Sequence, residues 1–181
     1  MRTIYLIRHC QASGQEAEAE LTALGRQQAQ QLADFLLAKP IDVILSSPFV
    51  RTVQSIAPYA NARSAAIHTD ARLEERILCA GPLEDWLVRL EQTFQDFHLA
   101  LPGGESSQAA MDRAASAVAA LLQREWQTAA VVTHGNLMAL LLRHFDGVSG
   151  FEAWRSLSNP DVYEIQMGQS GTSVQRIWRE A

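Results

Sequence analysis

Apolar positions along the chain alternate between short continuous runs and helical stripes. Thr3-Ile-Tyr-Leu-Ile7 is a β-branched-rich run bounded by polar residues, and it predicts a buried strand. The stretch from Gln11 to Glu20, rich in Ala, Glu and Gln, predicts a loop. Thr22 then stands where an N-cap belongs, and Leu24, Ala29, Leu32, Ala33, Leu36 and Leu37 recur with helical spacing. Pro40 ends that helix, and Ile41–Leu45 predicts a second buried strand. Ser46-Ser47-Pro48 reads as a cap followed by proline at the first helical position, opening a helix toward Tyr59. Residues 65–68 form a weak strand. Residues 83–99 and 106–126 predict two helices divided by the Leu101-Pro-Gly-Gly104 break. Ala129–Thr133 is another apolar strand, followed by His134-Gly135-Asn136 and a Leu-rich helix to Phe145. Val162–Met167 and Ser173–Trp178 predict a hairpin that turns between Gly168 and Gly171.

Strands alternating with helices predict an α/β fold, a three-layer α/β/α sandwich with a mostly parallel sheet and a C-terminal hairpin. The two helices between about 82 and 126 come without an intervening strand. They are expected to form a small helical cap on one domain spanning 1–181.

Composition narrows the classes of function. With 181 residues, 48% hydrophobic and 19% charged, the chain has the make-up of one soluble globular domain. A net charge of −5 argues against a nucleic-acid partner. It leaves a small anionic substrate open, because a few arginines can build a local positive pocket on an acidic protein. The N-terminal apolar run is too short for a signal-peptide core or a membrane span, so a cytoplasmic protein without a membrane partner is expected. Nothing in the pattern fixes an oligomeric state. Cys10 and Cys79 lack the companions of a zinc site, and neither is followed closely by the arginine that a cysteine-based phosphatase needs. No metal and no cofactor are expected.

Three polar clusters each follow directly after a predicted strand. They are Arg8-His9, then Ser46-Ser47-Pro48 with Arg51, then His134-Gly135-Asn136. Each alone has a plainer reading, as a strand end, a helix start and a satisfied structural histidine. Ligands of open α/β sheets bind outside the carboxyl ends of the strands, where these clusters converge. Two histidines and two arginines in one crevice suit phosphate, whose oxygens match guanidinium forks.

The joint pattern resembles the histidine phosphatase superfamily, also called the phosphoglycerate-mutase-like family. Arg8-His9-Cys10 is similar to its Arg-His-Gly opening, and Leu21-Thr22-Ala-Leu-Gly25-Arg-Gln-Gln28-Ala29 to its Leu-Thr-x-x-Gly-x-x-Gln-Ala helix start. Ser46-Ser-Pro-Phe-Val-Arg51-Thr-Val-Gln54-Ser resembles Ser-Ser-Pro-x-x-Arg-x-x-Gln-Thr. Leu73-Glu74-Glu75 is similar to the Leu-x-Glu of the proton donor, Gly103-Gly-Glu105-Ser106 to the Gly-Glu-Ser of a cap helix, and Thr133-His134-Gly135 to the second histidine. The six motifs run in order from residue 3 to about residue 145.

The resemblance implies that His9 attacks phosphorus and becomes phosphohistidine. It implies that Arg8, Arg51 and His134 bind the phosphoryl oxygens, with Gln15 and Gly135 beside them, and that Glu75 is the general acid and base. Glu74 is the neighbouring candidate; the family spacing selects Glu75. His68, His98 and His144 are left without a role. Trp126, Trp154 and Trp178 are read as core or edge packing, while Trp86 is also placed to line the pocket from the cap.

Departures from the family bear on the substrate. Cys10 replaces the usual glycine, Gln15 stands where many members carry asparagine, and the stretch Arg76-Ile-Leu-Cys-Ala-Gly-Pro82 lacks the continuations common among relatives. The segment 76–133 carries only Arg76, Arg89, Arg113 and Arg124 as cations besides His98. A short cap with few cations favours hydrolysis of a small phosphorylated metabolite over phosphoglycerate-mutase-type transfer. A protein-phosphohistidine phosphatase is the other enzyme reading, and a phosphate-binding module without turnover is the non-enzymatic one.

Overall fold

The computed structural model describes residues 1–169 and 171–178. Six strands, β1 (Arg2–Arg8), β2 (Val43–Ser46), β3 (Ile67–Thr69), β4 (Thr128–Thr133), β5 (Asp161–Gly168) and β6 (Gly171–Arg176), form one sheet in the spatial order β3-β2-β4-β1-β5-β6. The first four positions are mutually parallel, whereas β5 joins β1 antiparallel and pairs with β6 as a hairpin. The helices are α1 (Ala23–Leu36), α2 (Val50–Arg63), α3 (Trp86–Gln95), α4 (Ser107–Leu122), α5 (Gly135–Asp146) and α6 (Phe151–Arg155). This is the expected mostly parallel α/β fold with a C-terminal hairpin. Ser170, within the expected turn, lies outside the described residues.

Side chains alternate across the sheet and so divide the core into two halves. Tyr5, Ile7, Ile44, Ala130 and Val132 face α1 and α2, while Ile4, Leu6, Leu45, Ala129 and Val131 face α4 and α5. β1 and β4 lie at the centre, covered on both faces, which is why their sequences are nearly continuous apolar runs.

Local chemistry sets the helix starts. Thr22 Oγ1 accepts from Gly25 N–H at 2.9 Å and Ser106 Oγ from Ala109 N–H at 3.1 Å, so both act as N-caps. A Cβ on Gly25 would overlap Gln11 O, which accounts for glycine three residues into that motif. α2 begins later than expected, at Val50 with Phe49 in the cap position, although Ser47 Oγ still accepts from Phe49 N–H. It continues through Pro58 to Arg63, past the predicted end, and stops where Ser64 turns left-handed at φ 51°. α6, only five residues long, falls below the window in which periodicity is visible.

Within the 82–126 stretch the two helices differ. α4 packs Ala110, Ala114, Ala117, Val118 and Leu121 into the core beside α5. α3 stands away from the sheet against α6, with Trp86, Leu87 and Val88 exposed.

Candidate active site

The sheet register brings the polar clusters together. Arg8 pairs with Thr133 and Ser46 with Val132. One residue further on, His9 N–H donates to Thr133 O at 3.0 Å and Ser47 N–H to Val132 O at 2.9 Å. His9, Ser47 and His134 therefore leave three adjacent strands at the same edge. The rings of His9 and His134 meet edge-on, with centroids 5.2 Å apart.

Hydrogen-bond partners fix the state of His9. Its Nδ1 lies 2.6 Å from Cys10 O, an acceptor only, so Nδ1 carries the hydrogen. Its Nε2 receives Arg51 Nε–H at 3.3 Å, so Nε2 carries a lone pair. His9 is thus the neutral Nδ1–H tautomer. Burial, opposed by the Cys10 carbonyl and aided by the arginines Arg51 and Arg8, lowers its pKa from 6.5 to about 4.

His134 is fully buried and depends on Ser47. Ser47 Oγ accepts from Phe49 N–H at 3.3 Å and lies 2.8 Å from His134 Nε2. The two atoms share one hydrogen, and His134 Nδ1 has no partner among the described residues. Burial first, then the neighbouring His9 and arginines, push its pKa well below 6.5. Phe49 packs edge-on against the ring at 4.9 Å.

The two arginines are anchored on one side and open on the other. Arg51 donates through Nη1 to Gln15 O at 3.1 Å and Glu16 O at 2.7 Å, and its guanidinium lies over Phe49. Arg8 donates through Nη1 to Leu157 O at 3.0 Å and Ser158 O at 3.3 Å. Arg8 also explains Gly135: a Cβ there would come within 3.0 Å of the guanidinium carbon and two of its nitrogens. Burial lowers the pKa of both arginines, and Glu75 partly offsets it.

Glu75 sits at the start of α5. Its Oε1 accepts from Leu137 N–H at 3.0 Å and Arg76 N–H at 2.9 Å, and its Oε2 from Asn136 N–H at 3.1 Å. A carboxylate at a helix N-terminus is favoured by the exposed amides. Glu74, in contrast, contributes its backbone carbonyl to Arg113, at 3.2 Å. Next to Glu75, Arg76 is 5% exposed and binds Glu105 O, Thr93 Oγ1 and Ser107 Oγ, tying the segment after Glu75 to α3 and α4.

Among the described residues, four buried side-chain polar atoms lack a hydrogen-bond partner. Three of them, Arg8 Nε, His134 Nδ1 and Asn136 Oδ1, belong to this edge of the sheet. Unpaired buried polar atoms are costly, and a cluster of them marks a place built for a ligand. The adjoining cleft, about 400 Å³, is lined by Arg8, Gln15, Glu75 and Gly135 on one side and by Leu78, Trp86, Leu90 and Trp154 on the other. Among the described residues no three His, Cys, Asp or Glu side chains gather as a metal-binding set.

All the expected site residues lie at this edge. Cys10 turns its side chain into the core, its carbonyl holds His9, and its N–H donates to Ser55 Oγ at 2.8 Å. Burial pushes its thiol up to about 12. Gln15 is exposed, lines the cleft and serves Arg51 through its carbonyl. Five contributors had no assigned role at the site in the sequence reading. Ser47 read only as a helix start, Trp154 only as packing, and Leu157 and Ser158 act through carbonyls. Asn159 Nδ2 donates to His9 O at 2.7 Å, and an asparagine beside a proline signals only a turn.

A family model described as "Histidine phosphatase superfamily (branch 1)" matches residues 4–179. The chain belongs to this superfamily. The expected enzyme class, a phosphatase of this superfamily, follows at that level. A Salmonella choleraesuis protein named "Probable phosphoglycerate mutase GpmB" is 29% identical, over 97% of this chain and 92% of its own length. A mycobacterial glucosyl-3-phosphoglycerate phosphatase, solved with inorganic phosphate, superposes with TM-score 0.81 at 24% identity, covering 100% of this chain and 98% of that one. A putative α-ribazole-5′-P phosphatase from Escherichia coli superposes with TM-score 0.76 at 23% identity, covering 97% and 95%. For this histidine phosphatase superfamily member, the two superpositions establish the shared fold. Among its described residues no helix is long and apolar enough to cross a membrane.

Proposed function

We propose that this chain hydrolyses phosphomonoesters of small metabolites through a phosphohistidine formed on His9. The observation that carries the reading is the enforced tautomer: Cys10 O holds the proton on Nδ1 and leaves a lone pair on Nε2. That lone pair stands among Arg8, Arg51 and His134, the donors an incoming phosphoryl group requires.

Nε2 attacks phosphorus in line, forming the P–N bond as the P–O bond to the alcohol breaks. The 3.3 Å contact from Arg51 is at the long end of hydrogen bonding, so its Nε–H turns readily from Nε2 to a phosphoryl oxygen. Arg8 Nε–H and His134 Nδ1–H find acceptors on the same group. Glu75 protonates the departing alkoxide, then takes a proton from the water that attacks phosphohistidine and releases phosphate. All three contacts to Glu75 are N–H donors, so the proton it delivers arrives with the ester monoanion and leaves with product phosphate.

Hydrolysis is placed ahead of mutase-type transfer because α3 brings no unpaired cation over the cleft to hold a second phosphate. We assign α3 the part of the cap, and place the activity in the cytoplasm, where two unpaired cysteines are stable. Phosphate release from an aryl phosphate tests the reading. Wild-type protein turns over and His9→Ala loses activity on the order of a thousandfold or more. No turnover, with the two proteins indistinguishable, would leave only a phosphate-binding module.

A further inference from the structure

The wall of the cleft opposite Arg8 and Glu75 carries a second kind of chemistry. Leu78, Leu90, Trp86 and Trp154 form it. Trp86 meets Trp154 edge-on, with centroids 6.1 Å apart and planes at 83°, and Trp154 stacks on Phe151 at 5.4 Å and 24°. Trp154 is thereby held as a fixed platform. Trp86 is 48% exposed, so its indole is available at the mouth. Aromatic faces in this arrangement bind flat, apolar groups by stacking and area burial.

The same wall has no cation to spare. Arg76 is its one charged residue, and its Nε, Nη1 and Nη2 are all committed to Glu105 O, Thr93 Oγ1 and Ser107 Oγ. The other arginines of α3, α4 and α6 are paired as well. Arg89 binds Asp85, Arg113 binds Glu105 through two nitrogens, and Arg155 binds Glu152. A carboxylate or second phosphate on the alcohol would meet indole rings and the Glu75 carboxylate instead of a guanidinium. Burying such a charge without a partner is strongly unfavourable. The cleft, at about 400 Å³, also exceeds what a phosphoryl group with a two- or three-carbon acid would fill.

We infer that the physiological substrate is a monophosphate ester of an uncharged alcohol with an aromatic or broad apolar face, seated against Trp86 and Trp154, and not a phosphorylated carboxylic acid. This inference rests on the phosphatase reading above and names its substrate class. Glu75 protonates the same alkoxide; the indoles contribute orientation and binding.

Three alkyl esters with similar leaving-group chemistry test it: phenethyl phosphate, ethyl phosphate and phosphoglycerate, each measured as kcat/KM with the full chain. Phenethyl phosphate is expected to exceed each of the others by about tenfold or more, and Trp86→Ala to reduce its advantage over ethyl phosphate by about tenfold. Trp154→Ala, read in the same ratio, gives a second arm that does not depend on one variant folding. Phosphoglycerate matching or outrunning phenethyl phosphate would overturn the substrate class while leaving the phosphatase reading intact. The same holds if the ratio is unchanged in both tryptophan variants. No turnover of any ester above the His9→Ala background would remove the phosphatase reading, and this inference with it.

Discussion

Ser47 Oγ lies 2.8 Å from His134 Nε2, with both side chains excluded from solvent. The serine that looked like a helix cap is also the hydrogen-bond partner of a buried imidazole. With the serine hydrogen on Nε2, the imidazole would present Nδ1–H to a phosphoryl oxygen without needing to be charged.

Ser47→Ala leaves His134 Nε2 buried and unpaired, at a cost of about 1–3 kcal/mol. The expected result is a fall in kcat/KM of about 10- to 100-fold with the fold retained. The two residues act as one unit, so Ser47→Ala added to His134→Ala should cost little further; full additivity in the double variant would contradict the pairing.

Gly135→Ala separates stability from activity. Alanine favours the start of α5 by up to about 1 kcal/mol, yet its Cβ crowds Arg8. Tm is expected to hold or rise while KM and the inhibition constant of inorganic phosphate increase about tenfold. Unchanged phosphate affinity would show that Arg8 is not positioned by that gap.

Glu75→Gln removes the proton donor. Esters of alkyl alcohols should lose about 100- to 10,000-fold in kcat, and esters of acidic phenols, which leave without protonation, much less. Glu74→Gln should stay within a few-fold for both. A uniform loss across leaving groups would point to a structural role for Glu75.

Protonation of His9 links stability to pH. Its folded pKa, about 4, is below the ordinary 6.5, so between these values the unfolded chain binds the proton first. This contribution to stability is complete above about pH 6.5 and is lost as pH falls toward about 4; His134 acts with the same sign. Urea midpoints over that window should fall less steeply in His9→Gln than in wild type. Identical slopes would contradict the buried neutral imidazole.

The alternation of runs and stripes made the sheet and most of its flanking helices legible, because β1 and β4 are covered on both faces, α1 buries a stripe and α5 is buried all round from Gly135 to Leu142. Arg8, His9, Arg51, Glu75 and His134 were legible because their motifs come in a fixed order at strand ends. What supports them was not. Ser-Ser-Pro opens helices in many chains, so its second serine gave no sign that it belongs to His134. Leu157 and Ser158 hold Arg8 through carbonyl oxygens, which every residue has. Trp154 rides on a helix of five residues, too short to show a face.

The central claim is that phosphorus is transferred twice, first to His9 Nε2 and then to water. The stereochemical course at phosphorus measures this directly, using a phosphorothioate ester carrying two oxygen isotopes and hydrolysed in water of the third, so that the product thiophosphate is chiral. Two in-line displacements predict overall retention of configuration. Overall inversion would mean that water attacks the ester in a single step, and would contradict a covalent role for His9.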